Sequence, residues 1–315
     1  MRGRDGEEHR GHRRHGRGAD LHRRHHARGH VAGRGARPHP GRGGRRLAVT
    51  ASDLVEWSAR LDALLGSGGT AFDRAVVLAE CESTQDEARR LARGRGGLIV
   101  VARRQTRGRG RLGRAWEQGG KGVAATFVLD APAHDPRLLA LVAGVAAADA
   151  VEAALAGVPG VRIGLRWPND VVVSGAGGAA AGDPPKIAGC LVERKDALAL
   201  VGIGINVVHA RGDFPPQIAD RCVSLAMLGA AVRTLDTVER LVVSMGRALD
   251  LAPPALVERW SARDTLVGTS RTFEHGARRF TGRVVAVDPL GNLRLITGSG
   301  PIDLPAATTS LVPVV

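Results

Sequence analysis

The chain contains no tyrosine, and four Trp and five Phe are spread over its 315 residues. Its core must therefore be built from Ala, Val, Leu and Ile. Three cysteines, Cys81, Cys190 and Cys222, are too few and too scattered for a disulfide framework or a zinc site. That scarcity fits a reducing compartment, and each is expected as a small buried apolar residue. Long uncharged apolar runs are also missing. The most apolar stretch, 138–158, is interrupted by Asp149 and Glu152 and is expected as a buried helix, so no membrane span is expected. No secretory signal is seen, and the expected location is cytoplasmic.

The formal net charge of +14 suggests a polyanion-binding protein until it is located along the chain. Residues 1–46 hold 14 Arg against Asp5, Glu7, Glu8 and Asp20, a net +10, and the other 269 residues carry only +4. In this tail only Leu21 and Val31 are large aliphatics, so it cannot offset the entropy of ordering and is expected to be disordered. No apolar periodicity is available to pack a helix-turn-helix, so specific DNA binding is not expected. Eight histidines and the acids at 5, 7 and 8 argue against a transit peptide.

From Ser52, placed to cap a helix carrying Leu54, Trp57, Leu61, Leu64 and Leu65, the pattern becomes that of a folded domain. A strand is expected over 75–79, and then a helix from a Ser83 or Thr84 cap to Ala92, with Gly94 as its stop. Strands at 98–102 and 123–130 flank a Gly/Arg loop, 103–122. A helix over 135–156 and short strands at 161–167 and 171–173 come next. A Gly/Ala/Pro connection, 174–185, leads to adjacent strands at 187–193 and 197–207, and helices are expected near 235–251 and 254–263. Residues 265–315 switch to short β runs with turn signals. The expected fold is α+β. A mixed β-sheet with flanking helices occupies 47–264, and a small SH3-like β-barrel occupies 265–315.

The segment Gln105-Thr-Arg-Gly-Arg-Gly-Arg-Leu-Gly-Arg-Ala-Trp116 contains Gly108-x-Gly110-x-x-Gly113, the spacing of a dinucleotide fingerprint. That reading needs a helix starting at Gly110, and four arginines interleaved with glycine are the wrong surface to pack on a sheet. Glycines free the backbone to fold over a ligand, and guanidiniums offer forked donors to phosphate or carboxylate. The loop reads as a lid over an anionic intermediate, with an RNA-binding Arg/Gly loop as the alternative. Further on come Arg166-Trp-Pro-Asn-Asp170, Lys186-Ile-Ala-Gly-Cys-Leu-Val-Glu193 and Gly202-Ile-Gly-Ile-Asn206. A lysine opening an apolar strand either snorkels to solvent or faces an anion. Gly189 removes a side chain from that strand, as a ligand lying against the sheet would require.

Together and in this order, these motifs resemble those of the biotin–protein ligase family, GRGRxGRxW, KWPND, KxxGILxE and GxGxN, over residues 75–315. The resemblance implies ATP-dependent activation of biotin to biotinyl-5′-adenylate and its transfer to a lysine of a biotin carboxyl-carrier domain, with Mg²⁺ beside the nucleotide. It implies that Ser83, Thr84, Gln85 and Gln105 hydrogen-bond the biotin ring, that Trp116 packs on it, and that Thr126 adds a hydroxyl. Arg109, Gly110 and Arg111 would close over biotin and the adenylate, and Arg114 would join them at the nucleotide. Lys186 would lie between the biotin carboxylate and the α-phosphate, making Lys186, Arg109 and Arg111 the catalytic cations. Gly189 would leave room for the ligand, Asn206 would contact adenine, and Asn169 and Asp170 would lie on the nucleotide side. Gln85 replaces the family's Asn, Arg166 its Lys, and Leu112 stands where some members carry another Arg. The rivals are a lipoate–protein ligase, which shares the adenylate chemistry, a nucleic-acid-binding repressor, and an inactive relative. A homodimer is left open.

Overall fold

The computed structural model describes residues 50–116, 119–175 and 183–313; the tail expected at 1–46 and most of the 174–185 connection lie outside them. Helix α1 (Ala51–Gly66) is capped by Thr50 rather than Ser52. Thr50 Oγ1 accepts from the Asp53 N–H at 3.1 Å while the Asp53 carboxylate accepts from the Thr50 N–H at 2.9 Å. This reciprocal box satisfies two donors at the helix start, and Ser52 falls inside the first turn. Trp57 and Leu61, four residues apart, form its buried stripe.

Strand β1 (Arg74–Cys81) leads into α2 (Thr84–Ala92), which ends where Arg93 and Gly94 take positive φ. Strands β2 (Leu98–Gln105) and β3 (Gly122–Asp130) flank the Gly/Arg loop, whose described residues include a 3₁₀ turn, Arg111–Gly113. Among the described residues no α-helix starts at Gly110, as the rejection of the dinucleotide fingerprint requires. Helix α3 (Pro136–Ala154) starts at an Asp135 cap, with proline in its first turn. It is lined with small residues, so neighbours approach closely. Gly144 lies against Trp260, where an added Cβ would stand 3.4 Å from the indole nitrogen. Strands β4 (Val161–Arg166), β5 (Asp170–Gly175), β6 (Lys186–Lys195) and β7 (Leu198–Asn206) complete the sheet, and α4 (Thr234–Leu249) and α5 (Pro253–Ser261) follow.

The seven strands run β1-β2-β3-β7-β6-β5-β4. Only β1 and β2 pair in parallel, so the sheet is mixed. Side-chain alternation gives it two faces. Ile99, Val101, Phe127 and Val201 join α1, α3 and α4 in one apolar cluster, whereas Leu98, Val100, Val128, Leu198 and Leu200 pack with Ala88 and Ala92 of α2. Helix α2 covers only part of its face, and the rest of that face holds the site. The core is mostly Ala, Val, Leu and Ile, but its largest fully buried side chains include Trp57, Trp167, Phe127 and Phe273, so the few aromatics concentrate there.

The C-terminal strands β8 (Ser270–His275), β9 (Arg278–Val287), β10 (Asn292–Thr297), β11 (Gly300–Pro305) and β12 (Thr309–Val312) form an antiparallel sheet in the order β11-β10-β9-β8-β12. Among the described residues its outer strands β11 and β12 do not pair with each other, so the expected barrel is not closed by hydrogen bonds. This sheet shares the main core. Phe273 meets Trp167 edge to face with ring centroids 6.2 Å apart, and Thr265 N–H donates to Leu165 O at 3.1 Å. No described helix is long and apolar enough to cross a membrane.

Candidate active site

Beyond α2 the sheet face is stripped of bulk. Gly189 pairs with Gly204, and Leu191 with Gly202. Directly paired residues point to the same face, so three glycines open one patch beside Ala124. A Cβ at Gly204 would stand 2.3 Å from Trp116 Cε2, and one at Gly189 2.8 Å from Lys186 Nζ and 3.2 Å from Trp116 Cζ3. The space at Gly189, expected to be kept for a ligand, is shared by Lys186 and the Trp116 indole. Above this floor lies a cavity of about 500 Å³. The Gly/Arg loop, the N-terminus of α2, the Arg166–Asp170 turn and β12 form its walls.

At one end stand Ser83, Thr84 and Gln85, all buried, because the α2 start is packed onto the sheet. The Gln105 carbonyl oxygen accepts from the Thr84 N–H at 2.8 Å and its hydroxyl at 3.1 Å. Thr126, expected in the site, lies beneath it. It does not border the cavity, and its hydroxyl donates to Thr84 Oγ1 at 2.9 Å. Gln85 Nε2 donates to Leu191 O at 3.2 Å, with Gly202 leaving room for the longer amide. Three buried polar atoms here have no hydrogen-bond partner in the structure: Ser83 Oγ, Gln85 Oε1 and Trp116 Nε1.

The Gly/Arg loop folds back on itself, with Gly110 N–H donating to Arg114 O at 2.7 Å and Trp116 N–H to Gly108 O at 2.9 Å. Arg109, Gly110, Arg111 and Arg114 all border the cavity. Arg111 donates to the Ala306 carbonyl and, at 3.4 Å, to Asn169 Oδ1, which ties the loop to the C-terminal sheet and to the turn before β5. Arg109 instead aims its guanidinium at Asp86 and Glu193 on the flank of the loop.

At the other end Asp170 receives both Lys186 (Nζ to Oδ1 2.5 Å) and Arg166 (Nη2 to Oδ2 3.0 Å). Burial alone would raise the Asp170 pKa. The two cations and their hydrogen bonds outweigh it and hold the carboxyl below its ordinary value. Lys186 also stands over the Trp116 ring, 5.4 Å from its centroid. Asn169 follows the cis Trp167–Pro168 peptide and donates to Cys190 O at 2.7 Å. Asn206, expected at adenine, borders the cavity while its Nδ2 donates to Val223 O at 3.1 Å and Lys186 O at 3.4 Å, so it also ties β6 to the segment after β7. Burial pushes the Cys190 thiol up to about 12 and Cys81 to about 11, and it raises Cys222 as well. Thiols so protonated at neutral pH are inert, but only Cys190 is the buried filler expected, Cys81 and Cys222 being half-buried.

Fourteen of the fifteen residues expected in the site border this cavity, Thr126 being the exception. Sequence reasoning missed Phe214, Ile218, Arg221 and Cys222, whose segment has no apolar period, and Ser310, Leu311 and Pro313, which arrive from a different sheet. Arg166 stood out only as a departure from the family motif. Among the described residues no group of three His, Cys, Asp or Glu side chains is placed to hold a metal ion.

Comparisons with known proteins identify the family. Residues 78–207 match the family described as biotin/lipoate A/B protein ligase. The chain is 31% identical over 253 residues to a biotin–[acetyl-CoA-carboxylase] ligase of Mycobacterium tuberculosis, covering 75% of this chain and 88% of that one. It is 31% identical over 245 residues to an enzyme of the same name from Paracoccus denitrificans, covering 73% and 98%. The structure of a biotin protein ligase from Aquifex aeolicus in complex with biotin and ATP superposes with a TM-score of 0.63 at 25% identity, over 77% of this chain and all of that one. The chain belongs to the biotin/lipoate A/B protein ligase family.

Proposed function

We propose that this protein activates biotin with ATP and transfers it to a lysine of a biotin carboxyl-carrier domain. The observation that carries the choice of biotin over lipoate is the set of three orphaned polar atoms, Ser83 Oγ, Gln85 Oε1 and Trp116 Nε1, at one end of the cavity. Leaving such groups buried and unpaired costs about 1–3 kcal/mol each. Two acceptors and a donor complement a ureido ring, which offers two N–H groups and one carbonyl. A lipoyl dithiolane offers neither, and would leave all three unpaired.

In the first step a biotin carboxylate oxygen bonds to the α-phosphorus of ATP and the bond to pyrophosphate breaks. Two anions must meet, and Lys186 and Arg111 are the cations assigned to reduce that repulsion and to stabilise charge as it develops. In this reading Asp170 and Arg166 hold Lys186 in place, Arg114 and Asn206 contribute to the nucleotide end, and Gly110 lets the loop close. The described residues build no cation cage, so Mg²⁺ is taken as the companion of the nucleotide phosphates and no step is routed through it. In the second step the acceptor lysine amine attacks the acyl carbon of the mixed anhydride, the bond to AMP breaks, and the amine loses a proton. Trp116 and the closed loop keep water from the intermediate.

The reading extends to a catalytic domain at 47–264, a small β domain at 265–315, a tail without catalytic part, and a cytoplasmic location. The test is a transfer assay with ATP and a biotin carboxyl-carrier domain, run with biotin and with lipoate. Labelling of one carrier lysine by biotin is expected. Activation of lipoate but not biotin would overturn the assignment.

A further inference from the structure

Arg109 carries a second message, which rests on the function proposed above. Its guanidinium donates to both Asp86 oxygens, one at 3.1 Å, and to Glu193 Oε2 at 3.4 Å. Asp86 lies in the first turn of α2 and Glu193 on β6, so one side chain of the loop is fastened to two rigid elements. Beside it Arg107 pairs with Glu82 at 3.2 Å and its N–H donates to Glu82 O at 2.8 Å. Arg109 also bridges Ala115 across the loop, immediately before Trp116. What holds Arg109 therefore holds the indole that lies on the cavity floor.

Position argues against a phosphate role for this guanidinium. The Lys186 ammonium lies against Gly189, and Glu193 is four residues further along β6, roughly 13 Å at strand rise. Two carboxylates already surround Arg109, and they would repel a phosphate brought beside it.

We propose that Asp86 and Glu193 are positioning residues that latch the Gly/Arg loop shut through Arg109, so that Arg109 retains the adenylate by closure instead of by touching its phosphate. The three side chains are each about two-fifths exposed. Each pair is then worth only a two- to fivefold bias toward the closed loop, and that bias is screened by salt.

The test is the release rate of preformed biotinyl-adenylate, measured by chase with unlabelled ligand. Asp86→Asn with Glu193→Gln should speed release by roughly five- to twentyfold, with the ATP KM within twofold of wild type and an unchanged Tm. Raising salt to about 0.5 M should speed release from wild type and have little effect on the double variant. Adding Arg109→Gln to the double variant should change nothing further, because the latch is already gone. Unchanged release from the double variant would overturn the proposal. So would an Arg109→Gln variant that raises the ATP KM while the carboxylate variants do not, since that is the signature of a phosphate ligand. Failure to form any biotinyl-adenylate with wild type would instead overturn the proposed function.

Discussion

Replacing Asp170 by Asn keeps the size of the side chain and removes the negative charge shared by Lys186 at 2.5 Å and Arg166 at 3.0 Å. Two cations are then left facing each other at the end of the cavity. Breaking a fully buried ion pair in this way costs about 3–5 kcal/mol. These side chains retain 13–25% exposure, so water recovers part of that and the expected loss is ~2–3 kcal/mol. For a folded unit of this size the thermal midpoint should fall by roughly 5–10 °C. The pH dependence has a definite sign. Burial would raise the Asp170 pKa, but Lys186 and Arg166 hold it below its ordinary value. A depressed carboxyl contributes stability that is complete above its unfolded pKa of about 3.9 and is lost as pH falls through the folded value. The gap between wild type and the variant should be widest near neutrality and close as pH falls through the folded value, below the ordinary carboxyl range. Scanning calorimetry or circular dichroism across this range reads it directly. A midpoint within 1 °C of wild type at pH 7, or a gap that does not change with pH, would refute the reasoning. Adenylate formation should also fall, on the order of tenfold to a hundredfold, because Lys186 keeps its charge but loses the group that orients it.

Lys186→Ala should reduce adenylate formation by about two to three orders of magnitude, ~3–4 kcal/mol, and should disturb Tm less than Asp170→Asn because Arg166 still balances the aspartate; pyrophosphate exchange measures the first and calorimetry the second. Gly204→Ala places a methyl where the Trp116 indole lies, so the biotin KM should rise at least about tenfold, with an overpacking cost of ~1–3 kcal/mol read by the same thermal scan. Deleting residues 1–46 removes +10 of charge and almost nothing apolar. Ligation rate and Tm should stay near those of the full chain, while any salt-sensitive, sequence-independent binding to nucleic acid should disappear in a mobility-shift assay.

The elements of the sheet domain were legible because their signals are local. The apolar runs at 75–79, 98–102 and 123–130, the small-residue helix behind Asp135, and the adjacent strands at 187–193 and 197–207 each declare themselves within a few residues. Boundaries slipped where two chemistries compete. Thr50 and Ser52 both carry cap hydroxyls, and Thr50 wins because only it has Asp53 three residues ahead to close the reciprocal box. The C-terminal strands were also readable, but closure was not. Whether β11 meets β12 depends on sheet twist and on packing against Trp167, which turn signals do not encode.

The site shows the same division more sharply. Residue types and spacing singled out Lys186 and the Gly/Arg loop while leaving a snorkelling lysine and an RNA-binding loop open, and the ordered resemblance to the family assigned the roles of Trp116 and Gln105. The directions of those side chains were not readable. Arg109 and Arg111 are two residues apart in one motif and look alike, yet one turns to Asp86 and Glu193 and the other to Asn169 and the Ala306 carbonyl. Their fates depend on partners 23, 84, 58 and 195 positions away. A motif with positive charge at both places is compatible with two phosphate ligands, two latches, or one of each. Only the tertiary placement of the carboxylates decides between them. Asp86 carries no signal of its own, being an ordinary acid in the first turn of a helix, and Glu193, though it closes the Lys186–Glu193 motif, gave no hint of an arginine partner. Their importance arises from the loop that folds between them, and that makes the carboxylate pair, more than the arginine, the place where the latch is to be tested.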